Sequence, residues 1–309
     1  MSSSVRVSQV NRQDTRKTMH PEKYDQFNYH HNPDHKVLPR EEFTGSVRVM
    51  TYNLHGFIDL QKKKRYEEII EIVKLIDPDI VVFEEVWLYK KSDVDAEKLI
   101  KDLKATKLKY YKFSKSGINA VFSKYPFVSR ELDLGRDPVI GVPRNAIICE
   151  FLDLKLKGDD DTNLKMAKLA NTVVVGAHLD VFDETGVTRK NQMASILKDI
   201  DDSKEGNSKR RVIVTGDFNS LRKADYTVDE WNYLVDVDKR RGVTTIEDAV
   251  PVIEKAGYVE SFTNCGKQLK NSVWSGRRVD YIFGKNIQFK QCSEYRVTYS
   301  DHYPVYCDM

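Results

Sequence analysis

Apolar segments of this chain repeatedly end in side chains that can hold a metal ion or meet a phosphate. Asn53 closes VMTYN, Glu84 and Glu85 close DIVVFEE, His178 and Asp180 close VVVGAHLD, and Asp217 with Asn219 closes VIVTGDFN. Asp280 lies in RRVDYIFG, and Asp301 and His302 stand just before a last apolar run. Taken singly, an Asx residue after a strand usually makes a turn, and a lone histidine is more often structural than catalytic. Recurrence at the ends of separate strands points instead to one assembled site.

Such a site needs strands that end at a common edge. Val47, Val49 and Thr51 alternate with Arg48, Met50 and Tyr52 before Asn53 and Gly56, which predicts a strand running into a loop. Residues 65–76 place Ile69, Ile70, Val73 and Ile76 on one helical stripe, and Asp77-Pro78 stops the helix. The apolar DIVVFEEV completes a βαβ-like unit that delivers two strand ends to polar loops. A helix at 94–104 is expected next, then strands near 119–123, 145–154 and 171–180. A helix at 187–200, a strand at 211–217 and strands near 278–284, 294–299 and 303–307 follow. Polar segments 158–164, 204–211 and 236–242 read as insertions. This mixture predicts a single α/β domain with two packed sheets over 46–309. Residues 1–45 have no sustained period and read as a flexible polar arm, with His20, His30, His31 and His35 solvated rather than clustered on a metal.

Composition narrows the class. The 309 residues, 40% of them hydrophobic, suffice for a substantial core. Fifty basic side chains against 47 acidic ones leave a charge of +3, so no polyanion-binding field covers the whole molecule and any nucleic-acid contact must be a local patch. Lys62 to Arg65 and Lys209 to Arg211 are the basic runs, with solvated loops as their default reading and phosphate steering as the sharper one. Cys149, Cys265, Cys292 and Cys307 are too dispersed for a zinc site or a disulfide scaffold. No run approaches the roughly 18 apolar residues that span a bilayer, and the N-terminus lacks an apolar signal core. The expectation is an intracellular protein, cytoplasmic or nuclear, with non-Sec export left open. No partner protein can be inferred.

The segments VMTYNLHG, DIVVFEEV, NAVFSKYP, VVVGAHLDV, VIVTGDFNS, RRVDYIFG and YSDHYPVY, in this order, make residues 47–309 resemble the endonuclease/exonuclease/phosphatase superfamily. The fold this implies is a four-layer α/β sandwich, two packed mixed β-sheets flanked by helices. The resemblance implies an Mg2+-dependent phosphoesterase, with Mn2+ as a substitute ion and DNA or RNA among the candidate substrates. It assigns Glu85 and Asn53 to the metal, suited to an ion that prefers a few hard oxygens and keeps several waters. Glu84 falls where relatives often carry Gln and is expected to point away. Asp217 would activate or orient water, and Asn219 would hold a phosphoryl oxygen. His302 would contact the scissile phosphate or transfer a proton, oriented by Asp280, with Asp301 supporting the metal or Asn219. His178 would be a further donor to nonbridging oxygens.

Two departures direct the reading within the superfamily. His55 stands where apurinic endonucleases carry Asp, and the His178 segment is similar to the phosphatase, sphingomyelinase and tyrosyl-DNA phosphodiesterase 2 branches. Abasic-site cleavage is thereby disfavoured. Arg189, Arg222 and Tyr226 are candidates for a substrate wall, arginine meeting phosphate and the aromatic ring stacking on a base. Trp231 reads as packing. Hydrolysis of nucleic acid or its 5′ adduct is preferred, phospholipid or inositol phosphate hydrolysis is the alternative, and a non-catalytic binding module on the same fold is the competing class.

Overall fold

Strand β1 (Arg48–Asn53) sorts its side chains onto two faces, Val49 toward one core and Met50 and Tyr52 toward another, as the period of two requires. The same sorting holds in β2 (Ile80–Glu84), β7 (Thr172–Ala177) and β8 (Arg211–Asp217), whose Val82, Val174 and Ile213 join Val49 in one cluster. That cluster is the contact between two sheets. These relations come from a computed structural model describing residues 31–309 apart from 33, 41–44, 88–93, 138, 153–159, 204–209, 241, 243 and 270.

The first sheet also contains β3 (Tyr110–Phe113), β4 (Ala120–Ser123), β11 (Gln291–Glu294) and β12 (Val305–Asp308), in the order β11-β12-β1-β2-β4-β3. The second adds β5 (Val128–Arg136), β6 (Pro143–Phe151), β9 (Val259–Glu260) and β10 (Asp280–Lys285), ordered β5-β6-β7-β8-β10-β9. Helices α1 (Tyr66–Ile76) and α2 (Ala96–Ala105) cover the outer face of the first sheet, where Ile69, Ile70, Val73 and Leu99 meet Met50 and Phe83. Between α3 (Asp160–Leu169) and α5 (Val228–Arg240) lies α4 (Val187–Asp202), which covers the second sheet. It does so with α6 (Ala249–Lys255), through Met193, Ile196 and Ile253. A short α7 (Ser261–Asn264) joins β9 to β10. The result is the four-layer α/β sandwich, each buried aliphatic side chain contributing about 2 kcal/mol of burial.

Topology brings the chemistry to one edge. Each sheet contains one parallel pair, β1–β2 and β7–β8, so Asn53, Glu84, Ala177 and Asp217 all lie at C-terminal strand ends. The antiparallel register of β10 places Asp280 directly opposite Asp217, and β12 pairs Thr51 with Val305, which carries residues 300–302 back to Asn53. Two glycines permit close approach at this edge, Gly216 within its own sheet and Gly176 toward the other sheet. A Cβ on Gly216 (φ +140°) would fall 1.9 Å from the Ala177 carbonyl oxygen, and one on Gly176 would fall 2.7 Å from Val82. No side chain fits at Gly216 without displacing backbone.

Several expectations shift. The strand expected at 294–299 is β11, ending at Glu294, so residues 295–299 lead directly into the site loop. Segment 236–242 is no insertion as far as Arg240, which ends α5; that helix buries only Leu234 and Asp238, too narrow a stripe to show in sequence. Segment 158–164 enters α3 at Asp160, whereas 158–159, 204–209 and 241 lie outside the described residues. Sheet-edge strands β3 and β5 were not anticipated, because their largely exposed side chains lack alternation. Of the polar arm, 1–30 and 41–44, with His20 and His30, lie outside the described residues. Its described part packs on the domain instead of standing free. The rings of His31 and His35 lie 5.9 and 5.6 Å from those of Tyr299 and Tyr295, and Leu38 N–H donates to Tyr306 Oη at 2.9 Å. Among the described residues no helix is long and apolar enough to cross a membrane.

Candidate active site

Asp217, the last residue of β8, is the centre of the strand-end cluster and is 2% exposed. Its Oδ1 accepts the Asn219 N–H at 2.9 Å, and its Oδ2 accepts the Asn53 amide at 3.0 Å. Two imidazoles converge on that same oxygen, His178 Nε2 at 3.6 Å and His302 Nε2 at 3.8 Å, both just beyond hydrogen-bond reach. Burial pushes the Asp217 carboxyl up to about 7; His302 opposes that shift and the Asp280 charge adds to it. A carboxyl poised near neutrality is suited to exchanging a proton with water.

The two histidines are held in opposite states. Burial disfavours the His302 cation, but Asp280 Oδ2, 2.8 Å from Nδ1, outweighs it with help from Asp301 and Asp217. The net result is an imidazolium well above the ordinary range. His178 lies well below that range because of burial, then the Arg144 guanidinium and His302. Arg144 NH1 sits 3.3 Å from His178 Nδ1, and Asp137 accepts NH2 at 3.0 Å. Neither Arg144 nor Asp137 is apparent from any motif.

Glu85 follows β2 and is half-buried. Its Oε1 faces the Asn53 amide at 3.4 Å, and its Oε2 accepts the Trp87 indole N–H at 3.1 Å. Both of these partners are neutral N–H donors. Glu84 is fully buried, accepts the Thr51 hydroxyl at 2.8 Å and points away from Glu85 into the sheet interface, where a Gly216 Cβ would lie 3.1 Å from its Oε1. Burial, and then Asp280, hold its carboxyl well above the carboxylate range, against the Thr51 bond. His55, Glu85, Trp87 and Asn219 hold φ between +46 and +52°. For side chains with a Cβ that costs about 1 kcal/mol each, and such strain concentrates where loops must aim functional groups.

Two clusters compete for a cation. Asp217, Asp280 and His302 place candidate ligand atoms within 4.8 Å of one another. The Asp280–His302 hydrogen bond keeps that ring protonated, so it offers N–H groups rather than a lone pair. Glu85 fits a hard divalent ion better, as an unpaired carboxylate beside an amide. The Asn53 Oδ1 accepts the His55 N–H at 3.0 Å, and the Asn53 Nδ2 is the atom that faces Glu85, at 3.4 Å.

The remaining expected residues divide. Asn219 donates its side-chain amide to the Leu179 carbonyl at 3.2 Å, which holds it beside Asp217. Asp301 faces His302 Nε2 and His55 Nδ1, each at 3.8 Å, and the Ser300 hydroxyl at 3.5 Å. The His55 Nδ1 also lies 2.9 Å from the Ile58 carbonyl, which fixes the ring at the rim. The substrate wall does not form from the residues expected. Arg189 is 7% exposed and tied to Asp248 at 2.6 Å and to the Asp180 carbonyl at 3.2 Å. Arg222 is held by Glu254 and Asp225 at 2.7 and 2.9 Å, and the Tyr226 hydroxyl accepts the Arg278 N–H at 2.7 Å. With these groups engaged inside the fold, none is directed at a phosphate. Trp231 packs 5.9 Å from the Tyr226 ring. A cleft of about 270 Å3 instead opens beside the start of β6, lined by Lys115, Ser116, Arg136 and Asn145 among others. The strand β6 beside it pairs Ala146 with Ala177, the residue before His178.

The sequence profile of the endonuclease/exonuclease/phosphatase family matches residues 50–302. No curated protein sequence matches the chain. Among solved structures, an endonuclease/exonuclease/phosphatase from Beutenbergia cavernae is 18% identical, with a TM-score of 0.57 over 85% of this chain and 71% of its own. A mannosyl-6-phosphatase from Bacteroides thetaiotaomicron is 17% identical, with a TM-score of 0.55 over 84% of this chain and 98% of its own. TDP2 of C. elegans is 17% identical, with a TM-score of 0.54 over 87% of this chain and 76% of its own. At these identities the likeness is one of fold.

Proposed function

The chain belongs to the endonuclease/exonuclease/phosphatase family, a group that is mostly hydrolytic and generally uses a divalent metal, and on that premise we propose that it is an Mg2+-dependent phosphoesterase. One observation carries the reading: the Nε2 atoms of two histidines, one held cationic and one neutral, converge with an amide on a single buried carboxylate oxygen, Asp217 Oδ2. That arrangement surrounds the space between them with one proton acceptor and several donors, which in-line attack of water on a phosphoryl group requires.

Asp217 orients the water and draws its proton, its own direction fixed by Asn53 and the Asn219 backbone. His302 contacts the phosphoryl group as a cation, braced by Asp280. His178 and Asn219 donate to the nonbridging oxygens, and Asp301 supports His302 and His55 at the rim. Glu85 with Asn53 would hold Mg2+, or Mn2+ in its place; when bound there, the ion offsets charge on the leaving oxygen.

Nucleic acid, or a 5′ adduct of it, is the preferred substrate. Lys115 and Arg136, which line the cleft beside β6 together with one carboxylate, Asp133, offer a local cationic patch for a polyanion. Phospholipid or inositol phosphate hydrolysis is the alternative. The test is a panel of DNA, RNA, 5′-tyrosyl DNA, sphingomyelin, inositol phosphates and a sugar phosphate, assayed with Mg2+ and with chelator. Turnover that needs Mg2+ on at least one of these is expected. No turnover on any, together with no Mg2+ binding, would make the chain a binding module.

A further inference from the structure

His178 can donate to a phosphoryl oxygen from Nε2 only if its proton resides there. Neutral histidine has two tautomers, and whichever group faces Nδ1 selects between them. Facing Nδ1 here is Arg144, at 3.3 Å. A guanidinium is always charged and has five N–H donors and no acceptor. It can therefore face Nδ1 favourably only when that atom carries a lone pair.

We propose that Arg144 is a positioning residue that locks His178 in the Nε2-protonated neutral tautomer, so that its N–H is aimed into the site before any substrate arrives. This rests on the reading of His178 as a donor to phosphoryl oxygen, and it adds how that donor is prepared.

Three features support the lock. Arg144 itself cannot turn away, being 4% exposed with its NH2 held by Asp137 Oδ2 at 3.0 Å. Asp137 is fixed in turn, its Oδ1 accepting the backbone N–H groups of Val139 and Ile140, each at 2.9 Å. The far end of the ring is open for a ligand: among the described residues His178 Nε2 is buried without a hydrogen-bond partner. A buried N–H left in that state is costly unless a bound group completes it. His302 is the built-in contrast, because its Nδ1 faces a carboxylate and so carries a proton. Two histidines either side of Asp217 are thus given different proton inventories by what stands behind each.

The lock is testable without knowing the substrate. In the ligand-free full chain, long-range correlation of the ring protons and nitrogens of His178 is expected to show a protonated Nε2 and an unprotonated Nδ1 near neutral pH. A proton on Nδ1, or an imidazolium, would overturn the proposal. Arg144→Met leaves Asp137 buried and unpaired, so it is best combined with Asp137→Asn. In that pair the spectrum should change to a mixture of tautomers. On whichever substrate is turned over, kcat should fall about 10- to 100-fold with KM changed far less. Arg144→Lys, which keeps a charged donor, should recover part of both. An unchanged tautomer in the paired variant would overturn the lock. If no substrate is turned over at all, the hydrolase reading fails while the ring spectrum still decides the lock.

Discussion

Replacing Asp217 by Asn is expected to lower turnover by about a thousandfold while leaving the melting temperature close to that of the wild type. The variant retains shape, and its carbonyl oxygen can keep the Asn219 N–H bond that Oδ1 accepts; only the Asn53 amide bond at Oδ2 is lost, so the fold responds little. An amide cannot take a proton from water, and this is the one function of the carboxylate that its neighbours cannot supply. The loss should fall on kcat, because the donors that bind the phosphoryl group, His178, His302 and Asn219, stay in place. Steady-state kinetics beside a melting curve check both halves. Retention of full turnover would remove Asp217 from the chemistry.

Glu85→Gln is the second large effect. The substitution is isosteric and can keep the Trp87 indole bond through its carbonyl oxygen, but it removes the unpaired carboxylate proposed to hold the cation. Mg2+ should raise the melting temperature of the wild type, since an ion that binds only the folded state stabilises it by an amount that grows with the logarithm of its concentration above Kd. That rise should be absent in Glu85→Gln, and turnover should fall to the level seen with chelator. Had the cation instead occupied Asp217, Asp280 and His302, the Mg2+ response would survive Glu85→Gln and vanish in Asp280→Asn.

The boundary between what was legible in sequence and what was not follows a physical line. Asn53, Glu85 and Asp217 announce themselves because each ends a run buried on both faces, and such a run is recognisable without knowing its neighbours. Their convergence is a consequence of topology, the parallel β1–β2 and β7–β8 pairs pointing four strand ends one way. Arg144 gives no such signal. Its partners stand 7 and 34 residues away, and a basic residue ahead of an apolar strand looks the same whether it faces solvent or a catalytic ring. The same ambiguity misplaced Arg189 and Arg222 in the opposite direction. Each sits next to a motif, and only the tertiary structure shows Asp248, Asp225 and Glu254 already holding them. Helix α5 and strands β3 and β5 were missed because they bury little, so the period that betrays a half-buried element is faint.

His55 is sharpened by the structure into a rim residue. It stands where a second carboxylate would be expected in apurinic endonucleases, and its Nδ1 lies between the Ile58 carbonyl and Asp301. That leaves Glu85 as the one carboxylate proposed for the cation and puts an imidazole near the mouth of the site, an arrangement that fits a site of sparse protein ligation.

The most direct test of the central claim is hydrolysis in oxygen-18-labelled water under single-turnover conditions, on the substrate that the panel identifies. Attack of water on phosphorus at the Asp217 centre predicts one labelled oxygen in the phosphate-bearing product of the wild type, and label appearing about a thousandfold more slowly with Asp217→Asn. Label in the alcohol product, or incorporation at an unchanged rate in the variant, would contradict it.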